Sequence, residues 1–381
     1  MALRFISTLL LINPTRHPGA VRRLQKLLKH VEGIDLVITD SKEDFLAQVQ
    51  GFLASSYRYL LVYGGDGTAH DAINGLFGID STDRQSPGST EVGKKGVGFL
   101  RGGTGNGIQD SYSVPYRLKQ QLHAYSDSVR HDLTLAVDLL EVTDGERLRY
   151  GQLLGVGVDA KILKRRDELA TVVRRGRTHV RSGFRYYLSS SFQFFFGSGF
   201  FDRQEFQLTF RNGRYAFRGP RVNAQFPFTT LDLVRAPLMV EIGTRPYYGK
   251  LFRVCPDVVC NDGYCDVYVF DFKNRRDLIG NVLYLWNGRH SRINRLRARS
   301  NRPVIERYQV DHLEVAARNP FHYHIDGELI DLNTPDVDGL FRLKVRILAQ
   351  GIRFIVPREF YNIYHPFDLP EETHHSFFNG D

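Results

Sequence analysis

The stretch LLVYGGDGTAHDAING, residues 60–75, sets four glycines and two aspartates directly behind an apolar run. The run YRYLLVYGG reads as a buried strand, and HDAINGLFG reads as the opening of a helix. Glycines let a backbone approach an anion closely, and the amide N–H groups of a helix N-terminus point at it. Gly64, Gly65 and Gly67, ahead of a helix expected to begin near Thr68, meet that requirement. Asp66 is the discordant residue, because a carboxylate repels a phosphate unless something else shares the site.

The surrounding chain repeats the pattern. FISTLLLIN, IDLVITD and KGVGFLRGG read as further strands. PGAVRRLQKLLKHVEG reads as a helix with Pro near its start and Gly at its end, and SKEDFLAQVQGFLASS as one capped by Ser41. Strands alternating with helices predict an α/β domain over residues 1–135 with a parallel sheet covered on both faces. Ligands of such sheets bind at the carboxyl ends of the strands. A second glycine loop, RGGTGNG at 101–107, falls at such an end, with Thr104 and Asn106 as side-chain donors. One glycine loop is weak evidence and two are better, the plain alternative being a pair of tight turns.

The rhythm changes near residue 136. TLAVDLLEVTDG and ERLRYGQLLGVGVD predict a hairpin turned at Asp144-Gly145, and further strand-like runs follow up to residue 357. Asn212-Gly213 and Asp326-Gly327 are expected turns. Helices are expected near 161–195 and 274–292. Residues 136–357 thus read as a mostly antiparallel β-sandwich domain, and 358–381 as an irregular C-terminal tail. No internal repeat or low-complexity tract is visible.

Lys and Arg outnumber Asp and Glu by 51 to 42, a net charge of +9. That excess suits an anionic partner: nucleic acid, anionic lipid headgroups or a polyphosphate. The basic residues concentrate at 161–187 and 274–302, which read equally as solvated helix faces. No nucleic-acid-binding signature accompanies them, so nucleic acid is not the expected partner. YYLSSSFQFFFGSGFF, 186–201, places aromatics beside the first basic run, as a membrane-interface segment or as core. No window of about eighteen uninterrupted apolar residues exists, and MALRFISTLLLINP lacks a small-residue cleavage site, so a first buried strand is expected there. Cys255, Cys260 and Cys265 match neither a disulfide framework nor a metal pattern. Buried reduced thiols and a cytoplasmic location are the expectation.

These residues carry a resemblance. GGDGTAHDAINGL is similar to the signature of the lipid kinase superfamily with a diacylglycerol-kinase catalytic domain, a group of diacylglycerol, sphingosine, ceramide and bacterial lipid kinases. LLINPTRHPG resembles its first-strand Asn-Pro motif and FLRGGTGNG its Gly-Thr-Gly-Asn loop. RPYYGKLFRVCPDVVCNDGYCDVYVF resembles its tyrosine-glycine, proline and Asp-Gly run, and HIDGELI its late Asp-Gly-Glu motif. The motifs stand in the family's order over most of the chain. NAD kinases and phosphofructokinases share the Gly-Gly-Asp-Gly loop but not the late Asp-Gly-Glu motif in a β-rich second domain.

The resemblance implies ATP and Mg²⁺ as cofactors, a lipid substrate and peripheral association with an anionic membrane surface, and leaves a homodimer open. It implies nucleotide contacts at Asn13, Pro14, Thr15, Thr39, Gly65, Gly67, Thr68, Asp71, Thr104, Gly105, Asn106 and Arg185. It implies a structural Mg²⁺ at Asp262, with the carbonyls of Val259 and Tyr264 sharing the ion. It implies Asp66, Asp326 and Glu328 as the catalytic carboxylates. Glu328 matches the proton acceptor of bacterial diacylglycerol kinases, and Asp66 the residue given that role in sphingosine kinases. Glu328 is the favoured base, with Asp66 ordering Mg²⁺ or the hydroxyl.

Two departures stand out. The family usually has Glu at Asp71, and the acid usual after Gly-Thr-Gly-Asn is Gly107 here. Neither removes Asp66, Asp326 or Glu328, so catalysis is expected. Two alternatives remain: a NAD-kinase-like phosphotransferase on a soluble substrate, and a catalytically silent lipid- or nucleotide-binding regulator.

Overall fold

The structure is a computed structural model, and it describes residues 3–12, 18–79, 92–103, 105–174, 177–180, 202–217, 225–249, 252–298 and 305–365. Asn13, Pro14, Thr15, Thr104, Arg185 and the aromatic segment 186–201 lie outside them. The chain divides into two compact units: residues 1–137 with 350–381, and residues 138–349.

The first unit opens with β1 (Thr8–Ile12), α1 (Pro18–Leu28), β2 (Ile34–Ile38), α2 (Lys42–Ala54), β3 (Tyr59–Gly64) and α3 (Asp66–Leu76). β4 (Gly96–Arg101), α4 (Gly107–Ser111) and α5 (Leu118–Arg130) follow, and β5 (Thr134–Thr143) leads out. β2, β1, β3 and β4 pair in that order, all parallel. Leu10, Leu11, Ile12, Leu60, Leu61 and Val62 are buried, as continuous apolar strands of a covered parallel sheet must be. Ser41 caps α2 by accepting the Asp44 amide at 3.1 Å.

The second unit continues with β6 (Leu148–Gly151), β7 (Leu153–Gly157), α6 (Val158–Ala170), β8 (Thr171–Arg174), β9 (Arg177–Val180), β10 (Phe206–Phe217) and β11 (Phe226–Arg235). Then come β12 (Met239–Gly243), β13 (Tyr247–Gly249), β14 (Phe252–Arg253), β15 (Cys265–Phe270), α7 (Arg275–Ile279), α8 (Val282–Trp286) and α9 (His290–Ala298). β16 (Glu306–Val310), β17 (His312–Ala317), β18 (Phe321–Ile325), β19 (Glu328–Leu332) and β20 (Phe341–Ile355) complete it. The antiparallel path runs β19-β18-β7-β12-β15-β16-β10-β17-β20. Its strands share one core that includes Val156, Ile242, Val267, Phe210 and Leu343, so the sheet folds onto itself as a sandwich. Each such buried side chain contributes about 1.5–3 kcal/mol. The three cysteines are buried and free, and burial raises the thiol pKa of Cys255 and Cys265.

The parallel α/β unit and the antiparallel sandwich agree with the sequence reading, and four local expectations are corrected. The helix expected to 195 ends at Ala170 and gives way to the β8–β9 hairpin. Asn212-Gly213 is no hairpin: β10 runs straight through it. Asn212, at φ 46°, stands where the neighbour of β10 changes from β17 to β16, and it donates to Asp311 at 3.0 Å. The tail reading fails at its start, because Arg358–Tyr364 is a helix, α10. Finally, residues 350–357 lie with the first unit. The end of β20 pairs in parallel with β4, the Val356 amide donates to Leu133 at 3.1 Å, and Phe360 stacks edge-on against Tyr112.

Candidate active site

β3 and β4 are neighbours, so the two glycine loops leave the sheet side by side. They are stitched together by backbone. The Gly102 amide donates to the Gly64 carbonyl at 2.8 Å, and the Asp66 amide to the Gly105 carbonyl at 3.2 Å. A Cβ on Gly65 would sit 2.7 Å from the Gly105 oxygen and 2.8 Å from the Gly103 Cα. Glycine at 65 and 103 is therefore what lets the loops touch.

Side chains finish the corner. Asn106 accepts the Gly103 amide at 3.2 Å and donates to the Gly103 carbonyl at 2.9 Å. Buried Gln109 donates to the Gly64 carbonyl at 3.2 Å, tying α4 to β3. Asp66 begins α3, and its Oδ1 accepts the Ile108 amide at 3.0 Å. The carboxylate that looked discordant thus belongs to the joint between both loops. α3 has no side-chain cap, and the helix itself leaves the amides of Gly67 and Thr68 without acceptors. A Cβ on Gly67 would meet no atom within 4 Å. Protein packing demands glycine at 65 and leaves open space at 67.

Of the sequence-derived nucleotide residues, Gly65, Gly67, Thr68, Gly105 and Asn106 gather at this corner with Asp66. Thr39 stands at the end of β2, buried, with its hydroxyl donating to the Ile12 carbonyl at 3.4 Å. Asp71 lies further along α3 and pairs with Lys42 of α2 at 2.8 Å, which gives it a helix–helix role in this geometry.

The remaining candidates belong to the second unit. Asp326 and Gly327 form the β18–β19 turn, with φ of 51° and 87°, the left-handed pair of a tight two-residue hairpin. Sequence groups Asp326 with the catalytic carboxylates, but its carboxylate is fully buried. It pairs with Arg245 at 3.0 Å and accepts the Gln152 and Leu153 amides at 3.2 and 3.1 Å. It locks the turn to β7. Glu328, two residues on, begins β19 on the exposed surface. Arg245 escaped the sequence reading because nothing local marks a partner 81 residues away.

At the proposed structural-cation loop, Asp262 accepts the Tyr264 amide at 3.1 Å, and Gln309 reaches its Oδ2 at 3.4 Å. Burial raises the Asp262 pKa against the opposing charges of Arg214 and Arg307. Asp138, fully buried, accepts the neighbouring Gly263 amide at 2.8 Å. Two carboxylates and nearby carbonyls are hard oxygen donors in a poorly solvated place, and they fit Mg²⁺.

Comparison with known proteins follows this division. The profile of the diacylglycerol kinase catalytic domain matches residues 7–142, and that of the YegS C-terminal NAD kinase beta sandwich-like domain matches residues 228–339. A crystal structure of a diacylglycerol kinase from Bacillus anthracis str. Sterne is 15% identical, at a TM-score of 0.58 over 93% of this chain and 98% of its own. Another structure from that organism is 16% identical with a TM-score of 0.60, over the same shares of the two chains. At these identities the likeness is one of fold. An NAD kinase from Archaeoglobus fulgidus in complex with ATP aligns at 9% identity and a TM-score of 0.40, over 94% of this chain and 97% of its own, too distant to carry an argument. No curated protein matches the chain significantly. Residues 7–142 are therefore similar to the diacylglycerol kinase catalytic domain, and residues 228–339 to the YegS-type sandwich domain.

Proposed function

We propose that the chain is an ATP-dependent lipid kinase that transfers the γ-phosphate to a hydroxyl of a lipid such as diacylglycerol or a sphingoid base. The observation that carries this reading is the contrast at the first loop: glycine is required at 65 by protein and at 67 by nothing in the protein. The first turn of α3, which has no side-chain cap, leaves the amides of Gly67 and Thr68 without intrahelical acceptors, and a helix N-terminus of that kind suits a phosphate. ATP with Mg²⁺, when bound, supplies the phosphoryl group and neutralises its charge.

In this reading Asp66 orients the cation or the attacking hydroxyl, held in place by its bond to the Ile108 amide. Glu328 accepts the hydroxyl proton, late in the transfer because an alcohol is a weak acid. Asp326 is a positioning residue that fixes the turn carrying Glu328. Asp262, with Val259 and Tyr264, holds a structural Mg²⁺.

Association with an anionic membrane surface is part of the proposal. On α7 to α9, Ile279, Val282, Leu283 and Leu296 are exposed, Leu283 at 74%, beside exposed Arg276, Arg289, Arg292 and Arg295. Apolar side chains among cations suit anionic headgroups. Among the described residues no helix is long and apolar enough to cross a membrane.

The test is transfer of radiolabelled γ-phosphate from ATP across diacylglycerol, a sphingoid base and ceramide in anionic vesicles, beside soluble NAD. Label should appear in a lipid and depend on the vesicle surface. Transfer to NAD without vesicles, or ATP binding without turnover on any lipid, would overturn the proposal in favour of the soluble phosphotransferase or the silent regulator.

A further inference from the structure

Three adjacent strands of the second unit place one residue each in a single row. His324 on β18 pairs with Gly155 on β7, and Gly155 pairs with Glu241 on β12. Facing residues on neighbouring strands project to the same side of a sheet. His324 and Glu241 therefore flank a position that has no side chain. Asp159, in the first turn of α6, fills that gap: a Cβ on Gly155 would collide with its carboxylate and with the His324 ring. Ligand atoms of Asp159, Glu241 and His324 all lie within 4.8 Å of one another, the one such group among the described residues.

We propose that Asp159, Glu241 and His324 form a binding site for a divalent transition cation such as Zn²⁺ or Mn²⁺, separate from the Asp262 loop and independent of the kinase reading. One imidazole and two carboxylates are the donors such ions take. The site is built and enclosed. His324 is fully buried, Glu241 is 1% exposed, and the Asp159 side chain, 11% exposed, marks the way in. Asp159 Oδ1, Glu241 Oε2 and His324 Nδ1 are buried with no hydrogen-bond partner. His324 meets Asp159 Oδ2 through Nε2, so the unpartnered atoms that bear on this cluster are the two carboxylate oxygens, and buried polar atoms are seldom left so.

The charge balance agrees. Burial pushes the Glu241 carboxyl well above the usual range, and the charge of Asp159 adds to the effect. Burial acts on Asp159 in the same direction, but His324 outweighs it by charge and hydrogen bond, and the Asp159 pKa lies below its ordinary value. A divalent ion between Asp159 and Glu241 would balance the charge of both carboxylates. Arg245 and Cys255 also face Glu241, and the Tyr248 ring packs edge-on against His324 at 5.1 Å.

The test uses the untagged full chain, stripped with chelator and titrated calorimetrically with Zn²⁺, with Co²⁺ as a spectroscopic probe. Close to one equivalent should bind, and Co²⁺ should show ligand-field bands of a site containing nitrogen. His324→Ala and Glu241→Gln should each weaken binding at least about 10-fold, whereas Asp262→Ala should not. Glu241→Gln keeps the side chain's size and decides the matter if His324→Ala does not fold. Failure of the wild-type chain to bind either ion, or binding by folded Glu241→Gln equal to wild type, would overturn the proposal.

Discussion

The corner at Gly65 and the turn at Asp326 both hold a carboxylate in place, but by opposite means. At Gly65 the work is done by backbone: amides, carbonyls and the absence of Cβ atoms bring two loops together around Asp66. At Asp326 it is done by a buried ion pair with Arg245 and two backbone amides. A backbone-built site tolerates charge changes but not added bulk, and a site built on buried charge behaves the other way round.

The largest effect should come at the buried charge. Asp326→Ala removes the carboxylate paired with the buried Arg245 guanidinium and should cost about 3–5 kcal/mol in urea unfolding. A loss below about 1 kcal/mol would mean that water replaces the partner, and the contrast would fail. At the other corner Gly103→Ala forces a Cβ to within 2.8 Å of the Gly105 oxygen. It should cost about 1–3 kcal/mol and abolish ATP binding, read by calorimetry.

Acid should expose the same difference. His290 is buried, donates through Nε2 to the Val254 carbonyl at 3.0 Å, and burial lowers its pKa from 6.5 to about 4. Between those values the unfolded chain takes up a proton that the folded chain refuses, so stability falls as pH drops from 6.5 towards 4. His290→Gln should flatten that part of the stability profile, and an unchanged slope would remove His290 as its cause.

The smallest change in stability is predicted at Gly67. Alanine there meets open space and is the better helix former, so Gly67→Ala should alter stability by less than about 1 kcal/mol. It should still weaken ATP binding, because the added methyl occupies the space assigned to phosphate. Gly67→Ala and Gly103→Ala together separate glycine kept for the ligand from glycine kept for the fold.

The same contrast explains what the sequence made legible. Apolar strands alternating with capped helices reported the parallel sheet, and glycines clustered after two strands reported the loops, since both signals are local. The Asp326–Arg245 pair and the row His324–Gly155–Glu241 depend on strand register across distant segments, which no local pattern carries. Asn212-Gly213 misled for a related reason. Its composition is that of a turn, but the residue serves to pass β10 from one neighbour to the next. The role of residues 350–365 in completing the first unit was hidden likewise, because chain order gives no hint that β20 returns to β4.

The central claim is that the two glycine loops hold Asp66 for phosphoryl transfer. Asp66→Asn retains an oxygen to accept the Ile108 amide and removes only the charge. The direct measurement is lipid phosphorylation by this variant at saturating ATP, with ATP affinity determined in parallel. The account predicts a rate reduced at least about 100-fold with ATP affinity changed by less than about 3-fold, the signature of charge lost from the transition state. A variant that phosphorylates lipid at the wild-type rate would contradict it.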